Sequence, residues 1–330
     1  MPLANLPVEL WNRIIHDAVG PANRISNSEF PWVHSHRSES VLREARKQRL
    51  RKLQSLAGVA RFWRELCITL SYESFFVERR NKTPLGWHLN TQLPRFPALF
   101  HRTRGLVIHF PCPGFKLIDE SIVPFVKLVG GMPVLQDLAV HTTPFRASHE
   151  YPLLEDGVIG ALQLIGPRLL FLQIQQPMDR TLGGGCVLTH RSVEIISALA
   201  PNLTQLIFSV QVDEPSWSDP APSFLNLQIL HMQLYAHSSQ QACIHNWIRR
   251  WRLDALKQFG MGYEGSPSTW KWVSIILAGS NGRNLEVFDL GVRISILARE
   301  NVTSNATRRQ RPVARTLLPL YGLSVQTCIQ

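Results

Sequence analysis

Apolar residues at Leu6, Leu10 and Ile14, with Trp11 and Ile15 widening the stripe, predict a short amphipathic helix near the start of the chain. Pro7 suits a first helical turn, where its missing N–H is not needed. Glu9 sits where a negative charge favours the positive end of the helix dipole. Gly20-Pro21 ends the segment. Residues 20–40, with Pro21, Pro31 and clusters of Ser, His and Asn, read as a loop. From about Ser40 to Leu70 no proline intervenes and the pattern turns helical. Leu56, Val59, Ala60, Trp63, Leu66, Cys67 and Leu70 fall on one face at helical spacing, and Gly58 argues against one unbroken helix.

After Pro84, Pro94 and Pro97 the pattern changes to a short, recurring L-x-x-L-x-L. It occurs at Leu135/Leu138/Val140, Leu169/Leu172/Ile174, Leu203/Leu206/Phe208, Leu227/Leu230/Met232, Leu256/Phe259/Met261 and Leu285/Phe288/Leu290. A weaker copy stands at Thr103/Leu106/Ile108, and the steps from one copy to the next are 32, 34, 34, 24, 29 and 29 residues. Pro133, Pro167 and Pro201 introduce three copies as Pro-x-Leu. Helical stretches at 122–129, 158–165, 193–199, 244–251 and 270–277 lie between them. One strand and one helix per repeat is the signature of a stacked array, because a single unit cannot bury its own apolar face. The second and third apolar positions of each copy should face the core and the residue between them should point outward. A doubly wound α/β sheet would also alternate strands and helices; the recurrence of one motif favours the stack. Residues 296–330 break the rhythm, and read as a basic, poorly ordered tail or an atypical cap.

A hydrophobic content of 45% and a charged content of 18% describe a globular chain. No apolar run reaches membrane-spanning length and no secretory signal is visible, so the expected location is cytoplasmic and/or nuclear. The five cysteines are scattered singly, which fits a reducing compartment and offers no metal cage or disulfide framework. Catalytic signatures are missing too: there is no G-x-S-x-G elbow, no P-loop and no H-E-x-x-H. Gly183-Gly184-Gly185 reads as a flexible loop. His34 and His36 are two ligands without a third. Asp119-Glu120 and Glu155-Asp156 are explained by helix N-terminal charge. The expectation is a protein that is not an enzyme and needs no metal or cofactor.

The opening L-P-V-E-L-W-N-R-I resembles the first helix of the F-box, whose usual start is L-P-x-E-[LI]-x-x-x-I. The segment from Leu56 to Leu66 looks like the F-box close, L-x-x-V-C-[RK]-x-W-[RK]-x-[LI], with matches at Val59, Arg61, Trp63, Arg64 and Leu66. Ala60 stands where Cys is common, Phe75-Phe76 where a Trp often follows, and the span between the motifs is lengthened by the loop and basic run at 26–52. Followed by such repeats, the chain is similar to fungal F-box proteins with degenerate leucine-rich repeats. The resemblance implies an α/β chain in four parts. Residues 1–80 would be an F-box-like helical module with an insertion at about 20–52, and 81–100 a linker. Residues 101–295 would form an irregular leucine-rich-repeat-like solenoid with parallel strands inside and helices outside, and 296–330 the tail.

It also implies a function. F-box proteins dock a Skp-type adaptor of a cullin ubiquitin ligase and hold a protein substrate on their repeats, acting by effective concentration. Carried over by position, Leu6, Pro7, Glu9, Leu10, Ile14, Val59 and Trp63 form the adaptor module, with Pro7, Glu9 and Leu10 at the contact and Trp63 in the core. Outside the complex the chain is expected to be a monomer. The substrate would meet the outward strand positions, a central row of Ala139, Gln173, Ile207, His231, Gly260 and Asp289 beside Asp137, Phe171, Gln205, Ile229, Gln258 and Val287. The predicted contacts are Asp137, Phe171, Gln173, Gln205, Ile207, Ile229, His231 and Asp289. None of these positions is Lys or Arg, although the formal net charge is +11. The positive charge sits at 43–52, at Arg249, Arg250 and Arg252, and in the tail. A nucleic-acid groove needs cations along it, so a protein ligand is favoured over nucleic acid. The alternatives are a nucleic-acid- or chromatin-associated repeat protein bound through the basic segment, and an interaction scaffold without ligase association.

Overall fold

The structure, a computed structural model, describes residues 6–19, 35–77, 97–110, 116–142, 152–175, 188–211, 221–235, 247–263 and 287–292. The Gly183–Gly185 run, the predicted helix at 270–277 and the tail lie outside them. The chain divides into two compact units, Met1–Val187 and Leu188–Gln330. The fold is α/β: parallel strands with helices around them.

The first unit opens with α1 (Val8–Val19), α2 (Ser35–Ala57) and α3 (Arg61–Tyr72). Strand β1 (Ser74–Val77) follows directly. Then come α4 (Pro97–Phe100), β2 (Gly105–Phe110), α5 (Lys116–Gly130), β3 (Asp137–Thr142), α6 (Pro152–Ile165) and β4 (Phe171–Gln175). The four strands pair in chain order, all parallel. Leu106, Leu138 and Leu172 align across β2, β3 and β4, and so do Ile108, Val140 and Ile174. All six are buried. Helices α5 and α6 pack closely, because Gly157 lets Ile122 approach; a Cβ there would meet the Ile122 Cγ2 at 3.0 Å.

The second unit holds β5 (Leu188–Thr189), α7 (His190–Leu199), β6 (Gln205–Gln211), β7 (Ile229–Tyr235), β8 (Gln258–Tyr263) and β9 (Val287–Val292). Strands β6 to β9 are again parallel and in order, and β5 pairs with β6. An aromatic cluster fills its core. Trp247 meets Trp251 edge-on at 4.7 Å between centroids, and Phe224 lies 5.7 Å from Trp251. Residues 247–249 form a helical turn, while Arg250 and Arg252 lie beyond it. Of Arg249, Arg250 and Arg252, expected in a helix, Arg249 alone is helical.

One device recurs at the strand starts. The backbone N–H of Leu135, Leu169, Leu203, Leu227 and Leu256 donates to the carbonyl three residues earlier, at 3.0–3.3 Å. These are the first leucines of the L-x-x-L-x-L copies, and all five are buried. Thr103 does the same in the weaker copy. Pro133, Pro167 and Pro201 occupy the second position of three of these turns, where a fixed φ is favourable. The carbonyl just before one strand then accepts two successive N–H groups of the next copy. Arg104 O takes Gln136 and Asp137, Gln136 O takes Leu170 and Phe171, Thr204 O takes Gln228 and Ile229, and Gln228 O takes Lys257 and Gln258, all at 2.8–3.1 Å.

Three expectations are corrected. Helix α2 begins at Ser35, inside the predicted loop at 20–40. The predicted face from Leu56 to Leu70 is split between α2 and α3 by a turn at 58–60, so Val59 and Ala60 are exposed, not interior. The residues between the inward pair of β3, β4, β6 and β7 are not solvent-facing, since Ala139, Gln173, Ile207 and His231 are buried. The physical reason is general: an all-parallel sheet is covered on both faces. Near-continuous runs such as Leu206-Ile207-Phe208-Ser209-Val210 carry that signature.

The basic run in α2 is partly architectural. The Arg49 side chain is buried; its Nη1 donates to the Leu70 carbonyl at 3.1 Å and its Nη2 lies 3.4 Å from Glu73 Oε2. Burial lowers the Arg49 pKa and Glu73 partly restores it. Arg49→Gln should destabilise the chain by about 1–3 kcal/mol, because it strands the partners of a buried charge. Chemical denaturation reads this out; an unchanged midpoint would show that the pair contributes nothing.

Candidate docking surfaces

Helix α1 packs on α2 and α3 through Ile15 and Val19, which join Leu53 and Cys67 in one buried cluster flanked by Leu56, Ala57, Leu66 and Leu70. Trp11 is buried and its ring lies 5.2 Å from that of Trp63. The inward stripe of α1 is thus Trp11, Ile15 and Val19. The stripe that opens the sequence pattern turns the other way: Leu10 and Ile14 are each 45% exposed. The Pro7 carbonyl accepts from the N–H groups of Leu10 and Trp11 and starts the helix. At the far end Lys52 Nζ donates to the Ala18 carbonyl at 3.4 Å.

Of the predicted adaptor residues, Pro7, Glu9, Leu10, Ile14 and Val59 are exposed, and Leu6 and Trp63 are half-buried. The Trp11–Trp63 contact sets the first turns of α1 and α3 side by side. Their neighbours Leu10 and Phe62, and Val59 in the turn before α3, remain open, Val59 at 66% and Phe62 at 39%. Val8 and Ile68 are exposed as well. Sequence reasoning missed Phe62, because its place inside the Trp63 motif reads as core. Covering such half-exposed side chains is worth about 1 kcal/mol or more each.

The strand-row residues behave differently. In the first unit Asp137 and Phe171 are half-buried and Gln173 is buried. In the second, Gln205 is half-buried, and Ile207, Ile229 and His231 are buried. Asp289 lies in β9. Asp137, Phe171 and Gln205 are therefore the partly accessible members of these rows, and Gln173, Ile207, Ile229 and His231 are interior.

Among the described residues no group of three or more His, Cys, Asp or Glu could hold a metal ion, and no helix is long and apolar enough to cross a membrane. His36 falls in α2 and His34 outside the described residues. Asp119-Glu120 and Glu155-Asp156 lie within the first five residues of α5 and α6. Cys67 is buried, and desolvation raises its thiol pKa, which disfavours the reactive thiolate.

His231 is strongly perturbed. Burial pushes its pKa down to about 3. Its Nε2 lies 3.0 Å from Gln258 Nε2, an amide donor, so the neutral ring accepts there. An unfolded histidine titrates near 6.5. The folded pKa is depressed, so this contribution to stability is full above about pH 6.5 and is lost as the pH falls toward 3, with a slope of about 1.4 kcal/mol per unit. Unfolding free energies of wild type and His231→Gln between pH 4 and 7 should differ in slope by that amount; equal slopes would place the imidazole in water.

No protein-family model matches the chain, and no curated protein matches it in sequence.

Proposed function

We propose that this chain is a substrate-recognition subunit of a Skp-cullin-F-box type ubiquitin ligase, with an F-box-like module in α1 to α3 and a leucine-rich-repeat-like stack behind it. The observation that carries this reading is the exposure of the apolar side chains Leu10, Ile14, Val59 and Phe62 on a module whose Ile15, Val19, Leu53 and Cys67 form a buried core and whose Trp11 packs on Trp63. A helical module that buries its other stripe has no internal use for these side chains, and several large apolar side chains left exposed on one small module mark a candidate interaction site. The paired sequence motifs fall on the same elements: L-P-V-E-L runs into α1, and the Val59–Trp63 segment starts α3.

The stack is supported by strand order and by the recurring turn. Within each unit neighbouring strands follow one another in the chain, whereas a doubly wound sheet reverses its order at a switch point. The same turn opens β2, β3, β4, β6, β7 and β8. The protein does no chemistry of its own in this role. It holds a protein substrate through accessible strand-start residues such as Asp137, Phe171 and Gln205 and raises its concentration near the ligase. The burial of Arg49 weakens the case for the basic segment as a nucleic-acid contact.

A purified Skp-type adaptor should bind the full chain. The double variant Leu10→Ala, Ile14→Ala should weaken that binding at least about tenfold, while its melting temperature stays near wild type because both positions are exposed. Absence of adaptor binding by the wild-type chain, or full binding by the folded variant, would overturn the assignment.

A further inference from the structure

A cleft of about 640 Å³ opens in the first unit, where the segments leading into β1, β2, β3 and β4 meet α3 and the middle of α1. It does not coincide with the Leu10–Val59 face, and its chemistry is independent of the adaptor reading. Three arginines line it: Arg102 and Arg104 before β2 and Arg168 before β4. His101 stands beside them. Among the described residues the one carboxylate on its wall is Glu73, already paired with Arg49 at 3.4 Å. The three guanidinium groups are therefore not matched by an acid inside the cleft.

Two of the guanidinium groups are held by hydrogen bonds. Arg102 Nη1 donates to Thr69 Oγ1 at 3.2 Å. Arg168 Nη2 donates to the Met132 carbonyl at 3.3 Å, while its Nε–H is buried with no hydrogen-bond partner. The Arg104 carbonyl is fixed by the N–H groups of Gln136 and Asp137, which anchors that residue at the strand start. Gln136 and Asn12 add neutral hydrogen-bonding groups to the wall. Arg168 is half-buried without a counter-charge, which is unfavourable, and a bound anion relieves it; Arg102 and Arg104 stand exposed at the rim. Guanidinium forks match phosphate oxygens in pairs.

We propose that this cleft binds a small soluble molecule carrying two or more phosphate groups. The volume argues for more than a single ion, since small-ligand sites occupy about 300–1,000 Å³. Three cations spread over the starts of two strands argue for more than one phosphate. Arg102 and Arg168 are positioned by their own hydrogen bonds and Arg104 by its backbone, which lowers the ordering cost of binding.

Titration calorimetry of the full chain with pyrophosphate, in buffers matched for ionic strength with sodium chloride, tests this. Saturable binding at one site per chain is expected, and it should weaken at least about tenfold in Arg104→Gln and again in Arg168→Gln. Arg249→Gln, exposed in the second unit, should leave it unchanged. Arg104 is exposed, so its variant stays folded; a melting curve checks Arg168→Gln, whose bond to Met132 is lost. No saturable pyrophosphate binding, or undiminished binding by folded Arg104→Gln, overturns the proposal. Citrate binding as tightly as pyrophosphate would overturn the phosphate assignment.

Discussion

The structure depends on a closed turn that ends in a buried leucine. At Leu135, Leu169, Leu203, Leu227 and Leu256 the same residue closes the turn with its N–H and fills the core with its side chain. The turn sets the direction of the strand, and the carbonyl before the strand collects two N–H groups from the next copy. Register between neighbours is thereby fixed at its first residue. Everything downstream can vary. The steps between copies run from 24 to 34 residues, and that tolerance is expected when only the turn and the first strand residues are shared. Within each unit the carbonyls of Arg104, Gln136, Thr204 and Gln228 are satisfied by the next copy, so one strand start templates its neighbour.

The strands were legible for the same reason. Turn chemistry and the buried side chains are both local, and both are written within six consecutive positions. Leu203 to Phe208 shows them together. What was not legible is long-range. Arg49 and Glu73 are 24 residues apart, and nothing near Arg49 distinguishes it from Arg51 or Lys52, which stay exposed. Strand β1 carries no turn signal, because it follows α3 after a single residue. Its Phe75 ring is fixed instead by Phe100, 5.0 Å away. The burial of Gln173 and His231 was missed because a polar side chain in an alternating pattern reads as solvent-facing. In a covered parallel sheet it is interior, and must find hydrogen bonds there.

Helix α1 shows a different limit. Leu6, Leu10, Trp11, Ile14 and Ile15 make an apolar arc too broad to say which side turns inward. Trp11 turns inward against Trp63, with Ile15 and Val19 on the same stripe, and this rotation leaves Leu10 and Ile14 outward. Sequence identified the residues that are apolar; packing of two tryptophans from helices far apart in the chain decided which of them remain available to a partner. The proposed docking face is in this sense the remainder of the core.

The net charge of +11 takes on a similar meaning once its members are placed. Arg49, Lys52 and Arg64 direct their donors to the carbonyls of Leu70, Ala18 and Ala57, which ties the three helices together at their ends. Cations near helix C-termini are favourable there on electrostatic grounds as well. A basic composition therefore does not by itself point to nucleic acid; part of it is taken up by architecture. Arg102, Arg104 and Arg168 are different. Two of them also donate to neutral protein oxygens, yet these acceptors leave the charge standing, and the one described acid on the cleft wall is engaged by Arg49. Where neutral oxygens hold cations in place without neutralising them, the geometry is set and the electrostatic demand is not met, and that combination is what a binding site for an anion requires.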